Sequence, residues 1–206
     1  KLVDPDGRKI DSASVTQDIR NLITPSHDCY NAEFAIVYKA LDADQSTLYR
    51  VEQWDDFHTN ENGAAISGGV SLSDDKIVTI GFTWGVETER VDNGIAPERA
   101  LCEELYHAKQ FSEGKIGFCL YPNQAGWRVM GVDENDENEA HTWAARVSGT
   151  TVEYNKAVYQ NHVHSKSISA EEGWRNFYPK DREGRTPRYD ANGLYSSNNY
   201  FFKRHK

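Results

Sequence analysis

The segment Cys102-Glu103-Glu104-Leu105-Tyr106-His107-Ala108 combines residue types that can hold a metal ion and act as a base. On a helix, residues four apart lie on one face, so Glu103 and His107 are expected side by side, with Glu104 close to His107. In the H-E-x-x-H motif, two histidines at this spacing bind Zn²⁺, and the glutamate after the first is the general base. The spacing therefore predicts Glu103 and His107 as zinc ligands and Glu104 as the base, since a carboxylate can also bind zinc.

A third protein ligand is expected from the acidic segment 133–139 that follows. Acidic residues favour the start of a helix, so a second helix is predicted to begin within this segment. Glu137, three residues before Ala140, is the favoured ligand. Glu139 and His141 remain alternatives, and His141 would share a helix face with Glu137.

The same residues are also compatible with interpretations that involve no metal. A glutamate and a histidine at positions i and i+4 form an ordinary surface pair, which stabilises a helix by about 0.2–0.5 kcal/mol. Glu137 and Glu139 are also ordinary charges for the first turn of a helix.

Other residues that could carry chemistry form weaker patterns. His162 and His164 would lie on one side of a strand and could form a metal pair, although most such pairs have no ligand role. A di-iron site would need a second Glu-x-x-His pair and four long helices, which the sequence does not show. Cys102 could be a nucleophile near a histidine, but a small buried core residue is the simpler interpretation.

The motif requires a helix to position it, and the pattern around it predicts one over residues 96–112. Pro97 suits the first turn, and Gly114 is a helix stop. Apolar residues recur at helical spacing between them, at Ala100, Leu101, Leu105, Ala108 and Phe111.

The remaining pattern predicts an α+β fold in which a small antiparallel sheet packs on helices. A short helix is expected over residues 14–23, and strands over 34–38, 47–54 and 76–84, which are rich in β-branched and aromatic residues. Residues 152–163 could form a helix or a strand.

Composition narrows the classes of partner. The chain has 206 residues and a formal net charge of -9, which argues against a nucleic-acid partner. Its three cysteines fit neither a disulfide framework nor a CxxC zinc site, so free thiols are expected. No apolar run approaches the roughly 20 residues of a membrane helix. The first residues lack a signal-peptide core, so export would depend on something outside the chain.

Residues 2–8, Leu-Val-Asp-Pro-Asp-Gly-Arg, resemble the D-P-D-G-R ending of the Rhs repeat core. Variable C-terminal toxin domains begin after that ending. The resemblance implies that residues 1–10 are the end of a core-like segment and that residues 11–206 form a single toxin domain.

Residues 99–114, which contain Glu-Leu-Tyr-His-Ala-Lys-Gln-Phe and then a glycine, are similar to the H-E-L-Y-H-A-Y-Q-x-x-x-G run of zinc metallopeptidase domains in polymorphic toxins. Those domains continue with an acidic N-E-x-E-A stretch, which residues 136–140 match. The resemblance implies a zincin-like active-site helix, zinc as cofactor and a protein or peptide substrate. Residues 77–84 would then line the cleft and pair with an extended substrate, as a sheet edge can.

The sequence departs from that family at Glu103, where the family has its first zinc-binding histidine. Three explanations stay open, namely a carboxylate ligand, a degenerate domain that no longer cleaves peptides, or an engineered replacement. The resemblance also implies a cognate immunity protein, and secretion or delivery into a target cell as part of a larger Rhs protein. A toxin that acts without metal hydrolysis and a structural cap of a surface protein are the alternative functions.

Overall fold

The structure is a computed structural model that describes residues 9–56, 58–59, 65–83, 97–120, 126–132, 134–150, 189–196 and 200–204. Its α-helices are α1 (Gln17–Ile23), α2 (Ala32–Asp42), α3 (Arg99–Ser112) and α4 (Glu134–Ser148). Its strands are β1 (Leu48–Trp54), β2 (His58–Thr59), β3 (Ala65–Ile66), β4 (Gly68–Leu72), β5 (Ile77–Thr83), β6 (Gly117–Cys119), β7 (Arg128–Met130), β8 (Leu194–Ser196) and β9 (Tyr200–Lys203). The α+β class is confirmed.

Helix α3 is the central element and begins three residues after the predicted start. Glu98 is its N-cap residue, and the chain leaves the helix through Gly114, which has a φ of 78°. Such a left-handed conformation suits glycine after a helix end. The predicted apolar positions of α3 are buried, and the helix packs against α2, α4, β4 and β5. The motif therefore lies on a helix that is enclosed by the core.

Helix α2 occupies the region predicted to be a strand over residues 34–38, so that prediction was wrong. The side chain of Asn31 accepts a hydrogen bond from the backbone N–H of Phe34 and caps the helix. Phe34, Val37, Tyr38 and Leu41 are buried at helical spacing. A continuous apolar run fits a buried helix as well as a strand, and here the cap and the later Leu41 indicate the helix.

The other helices agree more closely with expectation. Helix α4 begins at Glu134, inside the acidic segment as predicted. The helix predicted over residues 14–23 is divided into a 3-10 turn, Ser12–Ser14, and the helix α1. Within the described ranges, no helix combines the length and apolar character needed to cross a bilayer. The segments 1–8 and 152–163, together with Trp84, His162 and His164, lie outside the described residues.

The sheets correct the prediction of a purely antiparallel arrangement. Strand β5 lies between β1, to which it is parallel, and β4, to which it is antiparallel. The predicted edge role of residues 77–84 was therefore wrong, since both sides of β5 are paired. A second sheet has the order β7-β6-β9-β8 and is antiparallel, and β2 pairs with β3. Strand β4 is an outer strand of the first sheet among the described strands.

A buried polar contact joins the C-terminal strand β9 to the loop before β1. The ammonium group of Lys203 pairs with Asp44, and the Tyr49 hydroxyl donates to the same carboxylate at 2.6 Å. Burial would raise the pKa of Asp44, but the hydrogen bonds from Lys203 and Tyr49 and the charge of Lys203 lower it. The stability that Asp44 contributes is present above its unfolded pKa and is lost as the pH falls through its lower folded pKa.

Replacing Lys203 should test this contact. We expect Lys203→Met to lower the free energy of unfolding by about 3 kcal/mol, because it leaves a buried carboxylate without its cation. Chemical denaturation at neutral pH measures the change. The matched control is Arg146→Met, which breaks the exposed pair between Arg146 and Glu33 and should cost less than about 1 kcal/mol. Equal losses in the two variants would contradict the structural role of Lys203.

Candidate metal centre

Helices α3 and α4 bring together four side chains that can bind a metal, which we call the α3–α4 cluster. It consists of Glu103, His107, Glu137 and His141. Glu137 Oε2 lies 3.6 Å from His107 Nε2 and 3.7 Å from His141 Nε2. His141 Nε2 also lies 3.1 Å from Glu103 Oε1. Ligand atoms of Glu103, Glu137 and His141 all fall within 4.8 Å of one another.

The second ring nitrogen of His107 is held by Gln110 from the next turn of α3. The Gln110 amide nitrogen donates to the backbone carbonyl of Asp136 at 2.8 Å, so its amide oxygen faces His107 Nδ1, also at 2.8 Å. Because that oxygen only accepts, Nδ1 of His107 must be the donor. The Nε2 atom is thereby directed at Glu137. Metal-binding histidines commonly donate their other N–H to such a fixed acceptor.

His141 has a different partner on the far side of its ring. The guanidinium of Arg99 lies 2.8 Å from His141 Nδ1 and 3.9 Å from Glu103 Oε2. Arg99 is four residues before Glu103 on α3, so both side chains lie on the face of that helix that meets α4. A permanent positive charge therefore lies beside the carboxylates of the cluster.

Glu104 lies against strand β4. A Cβ atom placed on Gly68 would come within 2.7 Å of Glu104 Cγ and 2.9 Å of its Oε1, so a larger residue at Gly68 would displace the carboxylate. The charge of Glu104 acts on His107, which places the two groups near each other. Glu104, His107 and Glu137 are each only 8% exposed. The predicted base thus lies between the cluster and an outer strand of the sheet.

Two of the alternative candidates lie outside the cluster. Glu139 is exposed on α4 and pairs with Lys115. Cys102 is buried on α3, and burial, followed by the charges of Glu98 and Glu103, raises the pKa of its thiol well above the usual value. A thiol with a raised pKa is a poor nucleophile, so this geometry favours Cys102 as a core residue.

The carboxylates control the charge of His107. Burial alone would lower the pKa of His107, but the hydrogen bond and charge of Glu137, with the charges of Glu104 and Glu103, raise it to about 10. His107 is therefore an imidazolium at neutral pH in the metal-free protein. Metal binding at Nε2 would release that proton.

Comparison with known proteins identifies no relative of this chain. No protein-family model, curated protein or solved structure matches the chain. The interpretation of the cluster therefore depends on the geometry and chemistry of its own residues.

The structure groups Glu103 and Glu137 with His141, which was one of the alternatives, and it places His107 next to Glu137. Two further participants, Arg99 and Gln110, were missed by the sequence reasoning. A signal for each was present, because Arg99 is four residues before Glu103 and Gln110 is three residues after His107. Both spacings place a side chain on the helix face of the motif.

The raised pKa of His107 makes the stability of the metal-free domain depend on pH. Its contribution should be complete below the unfolded pKa of about 6.5 and should be lost as the pH rises through about 10. With a chelator present, we expect the free energy of unfolding to fall over this window by a few kcal/mol, as followed by denaturation at each pH. The His107→Gln variant should lose this slope, whereas the exposed His27→Gln control should keep it. A slope that survives in His107→Gln would contradict the assignment.

Proposed function

We propose that this chain is the toxin domain of a larger Rhs-type protein and that it hydrolyses peptide bonds at a zinc site. The proposed ligands are Glu103, His107 and Glu137, with Glu104 as the general base. One observation carries the proposal, namely the fixed orientation of His107. Its Nδ1–H is held by Gln110, and its Nε2 is directed at a carboxylate that a second helix supplies. The resemblance of residues 99–114 and 136–140 to toxin metallopeptidases supports the same interpretation.

The distance between His107 and Glu137 fits zinc. A tetrahedral site with bonds of about 2.0–2.2 Å separates neighbouring ligand atoms by about 3.3–3.6 Å. The distance from His107 Nε2 to Glu137 Oε2 is 3.6 Å. Mixed nitrogen and carboxylate donors are also usual for catalytic zinc. This distance would allow one zinc ion to contact both atoms without a rearrangement of the two helices.

The charge of the surroundings also favours a divalent cation. Glu103, Glu104 and Glu137 contribute three carboxylates, and Arg99 contributes one positive charge. With both histidines neutral, the three carboxylates and the one guanidinium carry a net charge of -2 in a largely enclosed site. This negative charge would attract a divalent cation.

The side chains suggest a division of labour for hydrolysis. Bound zinc would act as a Lewis acid that polarises the scissile carbonyl and favours ionisation of the attacking water. Glu104 would accept the proton of that water at a carboxylate oxygen and donate it to the leaving amine nitrogen. Its position against Gly68 would keep it beside β4, where an extended peptide could add to the outer strand.

The biological setting belongs to the same proposal. The domain would be secreted or delivered into a target cell as part of a larger Rhs protein. The producing cell would carry a cognate immunity protein that blocks the site. A structural cap of a surface protein would instead leave growth unaffected when the domain is expressed inside a bacterial cell.

A toxin that acts without metal hydrolysis is the second candidate. The observation that favours it is the position of Arg99, whose guanidinium lies 2.8 Å from His141 and 3.9 Å from Glu103. Together with a protonated His107, this cation could stabilise the carboxylates in a metal-free protein. Such a domain would bind its target through the same scaffold.

Metal analysis of the purified chain should separate these candidates. We expect about one zinc ion per chain, because Glu137 faces His107 and also has a ligand atom within 4.8 Å of one on Glu103. Elemental analysis should show that His107→Ala loses the metal and that the control His27→Ala retains it. If the parent chain has no zinc and only Glu103→His acquires it, the chain is a disabled relative of the peptidases.

The proposed base can be tested separately from the metal. Glu104→Gln should abolish growth arrest on expression inside a bacterial cell, because the amide cannot accept the proton of water. Zinc content and thermal stability should stay close to those of the parent chain. The matched control is Glu139→Gln, an exposed position on α4, which should remain toxic. Growth arrest that persists in Glu104→Gln would show that peptide hydrolysis through this residue is not the toxic activity.

A further inference from the structure

The two histidines of the α3–α4 cluster present different faces to their surroundings. Arg99 can only donate hydrogen bonds, so its contact with His141 Nδ1 at 2.8 Å requires that nitrogen to be the acceptor. The proton of neutral His141 then resides on Nε2. That atom lies 3.1 Å from Glu103 Oε1, which accepts it. His107 instead carries a proton on Nδ1, and this N–H donates to Gln110.

This difference suits His107 to bind a metal and His141 to donate a hydrogen bond to Glu103. A neutral imidazole binds a metal through the nitrogen that carries no proton. For His141 to bind a metal through Nε2, its proton would have to move to Nδ1, where it would face the N–H groups of Arg99. Two donors would then oppose each other at 2.8 Å in a partly buried position. The contact with Arg99 therefore disfavours His141 as a zinc ligand, although its distances to the carboxylates would allow it.

We propose that Arg99 and His141 partly neutralise the carboxylate of Glu103. They would thereby offset the loss of Lewis acidity that a carboxylate causes at the first ligand position. This inference rests on the proposed zinc site. An additional negative ligand weakens the Lewis acidity of a metal, whereas hydrogen bonds to a ligand tune it in the opposite direction. Arg99 supplies the positive charge. His141 accepts a hydrogen bond from Arg99 and donates one to Glu103, so it links the two groups. His141 is thus a positioning residue that orients Glu103.

Matched histidine substitutions distinguish the two roles. A glutamine at position 141 can still donate an amide N–H to Glu103, so His141→Gln should change the zinc dissociation constant by less than about tenfold. The same substitution at a ligand, His107→Gln, should raise it by more than about hundredfold. Competition with a chromophoric zinc chelator measures both values. Loss of zinc in both variants would overturn the role of His141 while leaving a zinc site in place.

The charge of Arg99 should act on zinc affinity in a defined direction. Arg99→Met removes a cation next to the site and frees His141 Nδ1 to take the proton, so zinc should bind about tenfold more tightly. The control Lys115→Met removes a cation that pairs with Glu139 outside the cluster and should have a smaller effect. An affinity that is unchanged or weaker in Arg99→Met would overturn the compensating role.

Long-range ¹H–¹⁵N NMR of the metal-free chain gives a readout that does not involve zinc. His141 should carry its proton on Nε2 in the parent chain, and Arg99→Met should shift it toward Nδ1. A proton on Nδ1 in the parent chain would overturn the inference, whatever the zinc content. If neither the parent chain nor any variant binds zinc, the proposed function fails, and the compensating role fails with it.

Discussion

The candidate site depends on the hydrogen bond between the Gln110 amide of α3 and the backbone carbonyl of Asp136 at the start of α4. Gln110 is fully buried, so loss of this bond would leave a polar group unsatisfied in the core. The same amide holds Nδ1 of His107. Because Glu137 follows Asp136 directly, one side chain sets both the ring orientation of His107 and the position of the carboxylate that it faces.

A second constraint is the cost of enclosing several carboxylates between two helices. Glu137 faces both histidines, and Glu103 faces His141 and Arg99. Removal of water strengthens each of these interactions, but it also penalises every charge that lacks a partner. In the metal-free protein, Arg99 and the imidazolium of His107 supply the positive charge that stabilises these carboxylates. In the proposed zinc-bound state His107 would release its proton, so metal binding would depend on pH.

The sequence was informative about structure where a local pattern determined the outcome. Helix α3 was predictable because its apolar residues recur at helical spacing between Pro97 and Gly114. Helix α2 was not, because residues 34–38 form a continuous apolar run that suits either state. The parallel pairing of β1 with β5 joins segments separated by a connection that includes β4, and no local pattern specifies such a contact.

The same distinction applies to the site. The spacing of Glu103 and His107 on one helix was sufficient to place them on a common face. The local sequence could not show which of residues 137, 139 and 141 faces α3. That depends on how α4 is rotated about its axis against α3. Burial of Ala140 and Ala144 fixes that rotation, which turns Glu139 toward Lys115 and directs Glu137 and His141, one turn apart, at α3. Tertiary packing thus determines which carboxylate faces the histidines, and the hydrogen-bond partners of each ring determine which of its nitrogens donates.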